Sequence, residues 1–164
     1  MRSVLLMAVA CVACAASDAE VKTAKTAVYQ ADGGQILQLA EQGAMDENYK
    51  IGPVDDGHLM FETVGRFYSP TGDLQSEGAD GYVTAGNHSV KVSFIVTVQQ
   101  VGANQFAVAV TPRTWQLIAG SPQMRELKPD DPGLPPWVLG RADHLQLAIY
   151  DRTKGLAVAA PAAH

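Results

Sequence analysis

Every second residue between positions 90 and 98 is apolar. Val90, Val92, Phe94, Val96 and Val98 share one parity, and Lys91, Ser93, Thr97 and Gln99 stand on the other. That period of two describes a half-buried antiparallel strand, with one face in a core and the other toward water. Such a strand commits the chain to a sheet that needs a second layer on one side. Gly102-Ala103-Asn104 turns the chain, and Phe106, Val108 and Val110 return it, with Ala107 and Ala109 behind. Pro112 interrupts this return, and Thr114-Trp115-Gln116-Leu117-Ile118 is read as continuing the sheet beyond it.

Upstream, Thr26-Ala27-Val28-Tyr29-Gln30 is extended, and Asp32 is placed to cap a helix with Gln35 three residues on. Ile36, Leu39, Ala40 and Gly43 recur at helical spacing, as do Leu37, Ala40, Ala44 and Met45. These predict one helix of about three turns, ending at 46–48. Tyr49-Lys50-Ile51 is a short strand leading to the turn Asp55-Asp56-Gly57. A further strand over 59–69 places Leu59, Phe61 and Phe67 on one parity and Met60, Val64 and Tyr68 on the other. Ser69-Pro70-Thr71-Gly72-Asp73 closes it, and 74–87, with three glycines, reads as a loop with room for one short strand. Near the end two periods compete. Leu145, Leu147 and Ile149 alternate as in a strand, whereas Val138, Ala142, Leu145 and Ile149 repeat as in a helix. Pro136 at the start and Gly155 past the end favour the helix. The expected fold is α+β, a two-layer sandwich of an antiparallel sheet with an N-terminal and a C-terminal helix.

Arg2 followed by the apolar run from Val4 to Ala13, and then by Cys14-Ala15-Ala16, has the form of a secretory signal over 1–16. The run is shorter than the roughly 20 residues a spanning helix needs. Two exits compete: cleavage after Ala15 or Ala16, or lipidation of Cys14, because Val12-Ala13-Cys14 resembles the end of a bacterial lipobox. Both place the working protein outside the cytoplasm, in the periplasm or on the outer membrane of a bacterium. Residues 17–26 are expected to be a tether, 27–153 the single domain and 154–164 a disordered, alanine-rich tail. The two cysteines, Cys11 and Cys14, both lie in the signal, so the domain offers no disulfide, thiolate ligand or cysteine nucleophile. The full chain's 12 basic residues stand against 17 acidic ones, and the basic ones are scattered, no two of them adjacent. A phosphate backbone needs clustered positive charge, so nucleic acid is not an expected partner. The membrane is expected to be reached only through a lipid anchor.

Candidate chemistry is sparse. The histidines His58, His88, His144 and His164 form no HExxH pattern. A metal would require Asp55, Asp56, His58 and His88 to converge from two turns, and neither acidic turn has calcium-loop spacing. No Gly-x-Ser-x-Gly elbow occurs. Asp143 and His144 are adjacent, so a helix would point them apart. Gly33-Gly34 at a helix start could seat an anion on free N–H groups. No catalytic residue, metal or cofactor is therefore expected. Trp115, Trp137, Pro135 and Pro136 flank or form the Pro-rich 129–136 loop and are the candidate interaction surface. The competing role for Trp137 is to pin the last helix to the sheet.

The order Val28-Tyr29-Gln30, a helix from near Gln35, Tyr49-Lys50-Ile51, strands over 59–69 and 90–98, and Pro135-Pro136-Trp137 opening a terminal helix resembles a known group. Exported bacterial envelope lipoproteins, with a module like that of a lipoprotein component of the outer-membrane β-barrel assembly machinery, are similar over 27–153. The resemblance implies a non-catalytic envelope module that binds another protein or a surface component. It supplies no binding residue. A carrier or sensor of a small apolar ligand, held between helix and sheet, is the alternative, and a small hydrolase is the least supported.

Overall fold

The computed structural model describes residues 17–75 and 85–158. Within them three helices cover one face of an open antiparallel sheet of eight strands, an α+β two-layer arrangement. The centre of the sheet is the hairpin of β5 (Val90–Gly102) and β6 (Gln105–Leu117). Strand order runs β2 (Ile51–Asp55), β3 (Met60–Thr63), β5, β6, β1 (Val28–Tyr29), β8 (Ala157–Val158). In addition β4 (Arg66–Tyr68) pairs with β5, and β7 (Met124–Leu127) pairs with β6.

The alternation in β5 emerges as expected. Val90, Val92, Phe94, Val96 and Val98 are at most 3% exposed and face the helices. Pro112 does not break β6, for a reason that lies in the ladder. It stands opposite Phe94, whose N–H is turned away to the Thr63 hydroxyl at 2.9 Å. The Phe94–Pro112 pair is therefore non-hydrogen-bonded, and the missing proline donor faces the other edge of β6. That edge is paired only at Phe106, by β1, and from Thr114 onward, by β7, so no strand asks for the donor.

Helix α2 (Gly33–Asp46) starts at Asp32, whose carboxylate accepts from the N–H groups of Gly34 and Gln35. It buries Ile36, Leu37, Ala40 and Ala44 against the sheet and ends through Asn48, which takes the left-handed φ of 60° that asparagine tolerates. Helix α3 (Pro136–Thr153) resolves the competing periods in favour of the helix and buries Val138, Ala142, Leu145 and Ile149. The two helices approach closely at Gly43, where a Cβ would come within 2.8 Å of the Ile149 Cα.

Three expectations are corrected. Residues 17–26 are not a tether: α1 (Asp18–Thr26) packs on α3 and β6, with Ala24 buried. Ser17 and Glu20 close it with a reciprocal capping box. The buried Gln146 amide then ties the layers, donating to the carbonyls of Ala24 and Val108. Residues 154–158 are not tail either, because a 3-10 turn (Lys154–Leu156) leads into β8, which pairs with β1. The single strand over 59–69 is two strands. Between Glu62 and Arg66 the chain takes four steps where β5 takes three, from Ile95 to Val92. This one-residue excess at Val64-Gly65 flips the parity, so Phe61 and Tyr68 are both buried. Strand β7 was also not foreseen. The signal with Cys14, most of the 74–87 loop and residues 159–164 fall outside the described residues.

Candidate interaction surface

All three helices lie on one side, so the opposite face of the sheet has no covering layer among the described residues. The register sets its composition. Phe67 is opposite Lys91, Lys91 opposite Trp115, and Trp115 opposite Glu126, forming one row across β4, β5, β6 and β7. The Lys91 ammonium lies 5.9 Å from the Phe67 ring centroid and 5.8 Å from that of Trp115. Arg113 stacks on the same indole at 4.9 Å. These cation–π contacts hold long, flexible cations flat on the sheet.

Below this row is a polar knot. Ser93 is 2% exposed although it belongs to the open face, and its hydroxyl donates to Glu62 at 2.6 Å. Arg113 donates to the other Glu62 oxygen at 3.2 Å. Arg113 is thus neutralised, whereas Lys91 has no carboxylate within 4 Å among the described residues. Ile95, Thr97, Ala107 and Ala109 extend the surface as a flatter, half-buried stretch.

Trp137 does not join this surface. It opens α3 on the helix side, 5.1 Å from the Tyr68 ring, with its indole N–H donating to the Pro70 carbonyl at 3.0 Å. Its ring also closes over Gly72. The pinning role predicted as the competing one is therefore the one its contacts describe. Pro135 caps α3 and Pro136 is its first residue, both beside Trp137 and away from Trp115. The two tryptophans lie on either side of the same loop in the chain but on different sides of the sheet. The strand parity of Trp115, opposite to that of Thr114 and Gln116, was the signal that separates them.

The remaining candidates are dispersed. His58 and Asp55 share a bond of 2.7 Å on an exposed turn, which holds the Asp55 carboxyl below its usual range. His88 takes a left-handed turn position. Asp143 pairs with Lys25 at 2.5 Å and His144 with Glu47 at 3.1 Å, so these neighbours serve different helix contacts. No group of three or more His, Cys, Asp or Glu side chains suited to a metal occurs among the described residues. Gly33 is buried, and a Cβ there would meet Leu59 at 2.6 Å, which makes it a packing position. No described helix is long and apolar enough to cross a membrane. No family model matches the chain, and no curated protein shows significant similarity to it.

Proposed function

We propose that this chain is a non-enzymatic cell-envelope protein that binds another protein or a surface component through the open face of its sheet. The observation that carries the reading is the Phe67–Lys91–Trp115 row on a sheet face that no described residue covers as a second layer. Phe67 and Trp115 are only half-buried there, monomeric proteins seldom leave broad apolar patches open, and aromatic and arginine side chains dominate binding energy at interfaces. Export rests on the 1–16 leader, with Cys14 as the lipid anchor in the lipoprotein form. The resemblance to envelope lipoproteins points the same way. The carrier alternative is weaker, because Ile36, Leu37, Ala40 and Ala44 of α2 share one buried apolar cluster with Phe61, Phe94 and Val96 of the sheet.

A photo-crosslinking amino acid at Thr97, on the open face, should give a discrete adduct in irradiated cells. The same group at the exposed Gln38 on α2 should give none. Trp115→Ala should reduce the Thr97 adduct. Adducts from Gln38 alone, or a Thr97 adduct indifferent to Trp115→Ala, would overturn the reading. Intact-mass analysis of membrane and soluble fractions reports directly whether Cys14 carries acyl chains.

A further inference from the structure

On the helix side of the sheet, two arginines from different elements lean over neighbouring tyrosines. Arg66, from β4, sits 4.2 Å from the Tyr49 ring centroid. Arg141, from α3, sits 4.5 Å from that of Tyr68 and 5.7 Å from that of Trp137. Each guanidinium commits a nitrogen to one backbone carbonyl, Arg66 to Asn48 and Arg141 to Gly72 at 2.8 Å. A guanidinium carries five N–H donors, so most of this capacity is uncommitted. Among the described residues neither has a carboxylate within 4 Å. Asp73 is nearby, but its carboxyl is held low chiefly by the Thr71 and Ser69 hydroxyls, which both donate to its Oδ2, and least by Arg141.

The second observation is independent of charge. Tyr68 is 1% exposed, and among the described residues its hydroxyl makes no full hydrogen bond, only a weak contact with the Tyr49 hydroxyl. A buried hydroxyl left unmade costs free energy that the fold does not recover, and such groups concentrate where a ligand completes them. The Tyr49 hydroxyl lies close enough to be influenced by Tyr68 and by both arginines. Burial foremost pushes the Tyr49 phenol up to about 12, so it stays protonated and able to donate at any physiological pH.

We infer that Arg66, Arg141 and the Tyr68 hydroxyl form a receiving site for an oxyanion, the phosphate or carboxylate head of a ligand. Guanidinium forks match the geometry of such groups, and stacking on tyrosine holds them pre-organised. The site lies on the opposite side of the sheet from Trp115, so it stands or falls apart from the proposed docking face.

Inorganic phosphate added to the full chain, with sodium chloride of equal ionic strength as the control, supplies the test. Phosphate should raise Tm in proportion to the logarithm of its concentration above Kd, by about 4 °C at ten times its Kd. Tyr68→Phe should raise Tm without phosphate, because the orphaned hydroxyl is gone, yet bind phosphate about tenfold more weakly. Arg141→Gln should also weaken it. The Tyr68→Phe variant guards against a folding defect in the arginine variant. Phosphate acting no better than chloride, or binding equally in Tyr68→Phe, overturns the site. Sedimentation with phosphatidylglycerol vesicles, but not phosphatidylcholine vesicles, and competition by phosphate would identify a lipid headgroup as the source. Phosphate binding without vesicle binding would identify a soluble ligand.

Discussion

Side chains on the two faces of β5 leave water by different means. On the helix side, Val90, Val92, Phe94, Val96 and Val98 are covered by a second layer, and Phe94 meets Tyr49 edge-on at 5.4 Å. On the open side, Ser93 is as buried as its apolar neighbours, but its cover is Glu62 and Arg113 lying along the sheet. An apolar layer stabilises by excluded area and close packing. A lid of charged side chains is movable and gives a partner something to displace. Phe94→Ala should therefore cost about 3–5 kcal/mol in urea or thermal unfolding, because both transfer and cavity terms apply. Lys91→Ala, on the adjacent residue and the other face, should cost about 1 kcal/mol or less, the scale of an exposed cation–π contact. Equal losses would erase the distinction between the faces.

The covered side is also intolerant of added volume. Gly43 lies where α2 crosses α3, and an added Cβ would meet the Ile149 backbone, which cannot swing aside as a side-chain end could. Gly43→Ala should lower stability by about 1–3 kcal/mol although alanine is the better helix former. Gly140, on the exposed side of α3, has nothing within 4 Å of a Cβ. Gly140→Ala should raise stability by about 0.5–1 kcal/mol through helix propensity alone. A gain at both positions would mean that α2 and α3 are looser than their closest approach suggests.

Much of the covered face was legible in the sequence, because period two in β5 and period 3.6 in α2 and α3 record which residues must leave water. The fold class followed from those three segments. Less legible was whatever depends on register. A one-residue excess at Val64-Gly65 reverses the parity of Tyr68 relative to Phe61, and no local composition marks it. Trp115 and Trp137 stand on either side of one loop in the chain but on different sides of the sheet. The Arg66–Arg141 site joins β4 to α3 across more than half the domain, so it has no motif at all. The error at 17–26 was different in kind. Ser17-x-x-Glu20 is a readable capping signature, but the small polar residues after it carry too little apolar periodicity to suggest a packed helix.

That capped helix supplies the most condition-dependent test of the layered side. Ser17 accepts from the Glu20 N–H while Glu20 accepts from the Ser17 N–H at 2.8 Å, satisfying two donors that a helix start would otherwise leave to water. Ser17→Ala should cost about 1 kcal/mol. The Ser17 backbone and hydroxyl bonds hold the Glu20 carboxyl below the usual glutamate value. A carboxyl whose folded pKa is depressed contributes stability above its unfolded value, and loses it as pH falls through the folded value. The deficit of Ser17→Ala relative to wild type should accordingly be full at pH 7 and shrink below pH about 4, where Glu20 protonates in the unfolded chain and then in the folded one. Hydrogen exchange of the α1 amides should show the same dependence. A deficit unchanged between pH 7 and pH 3 would mean that Ser17 acts on the helix without Glu20.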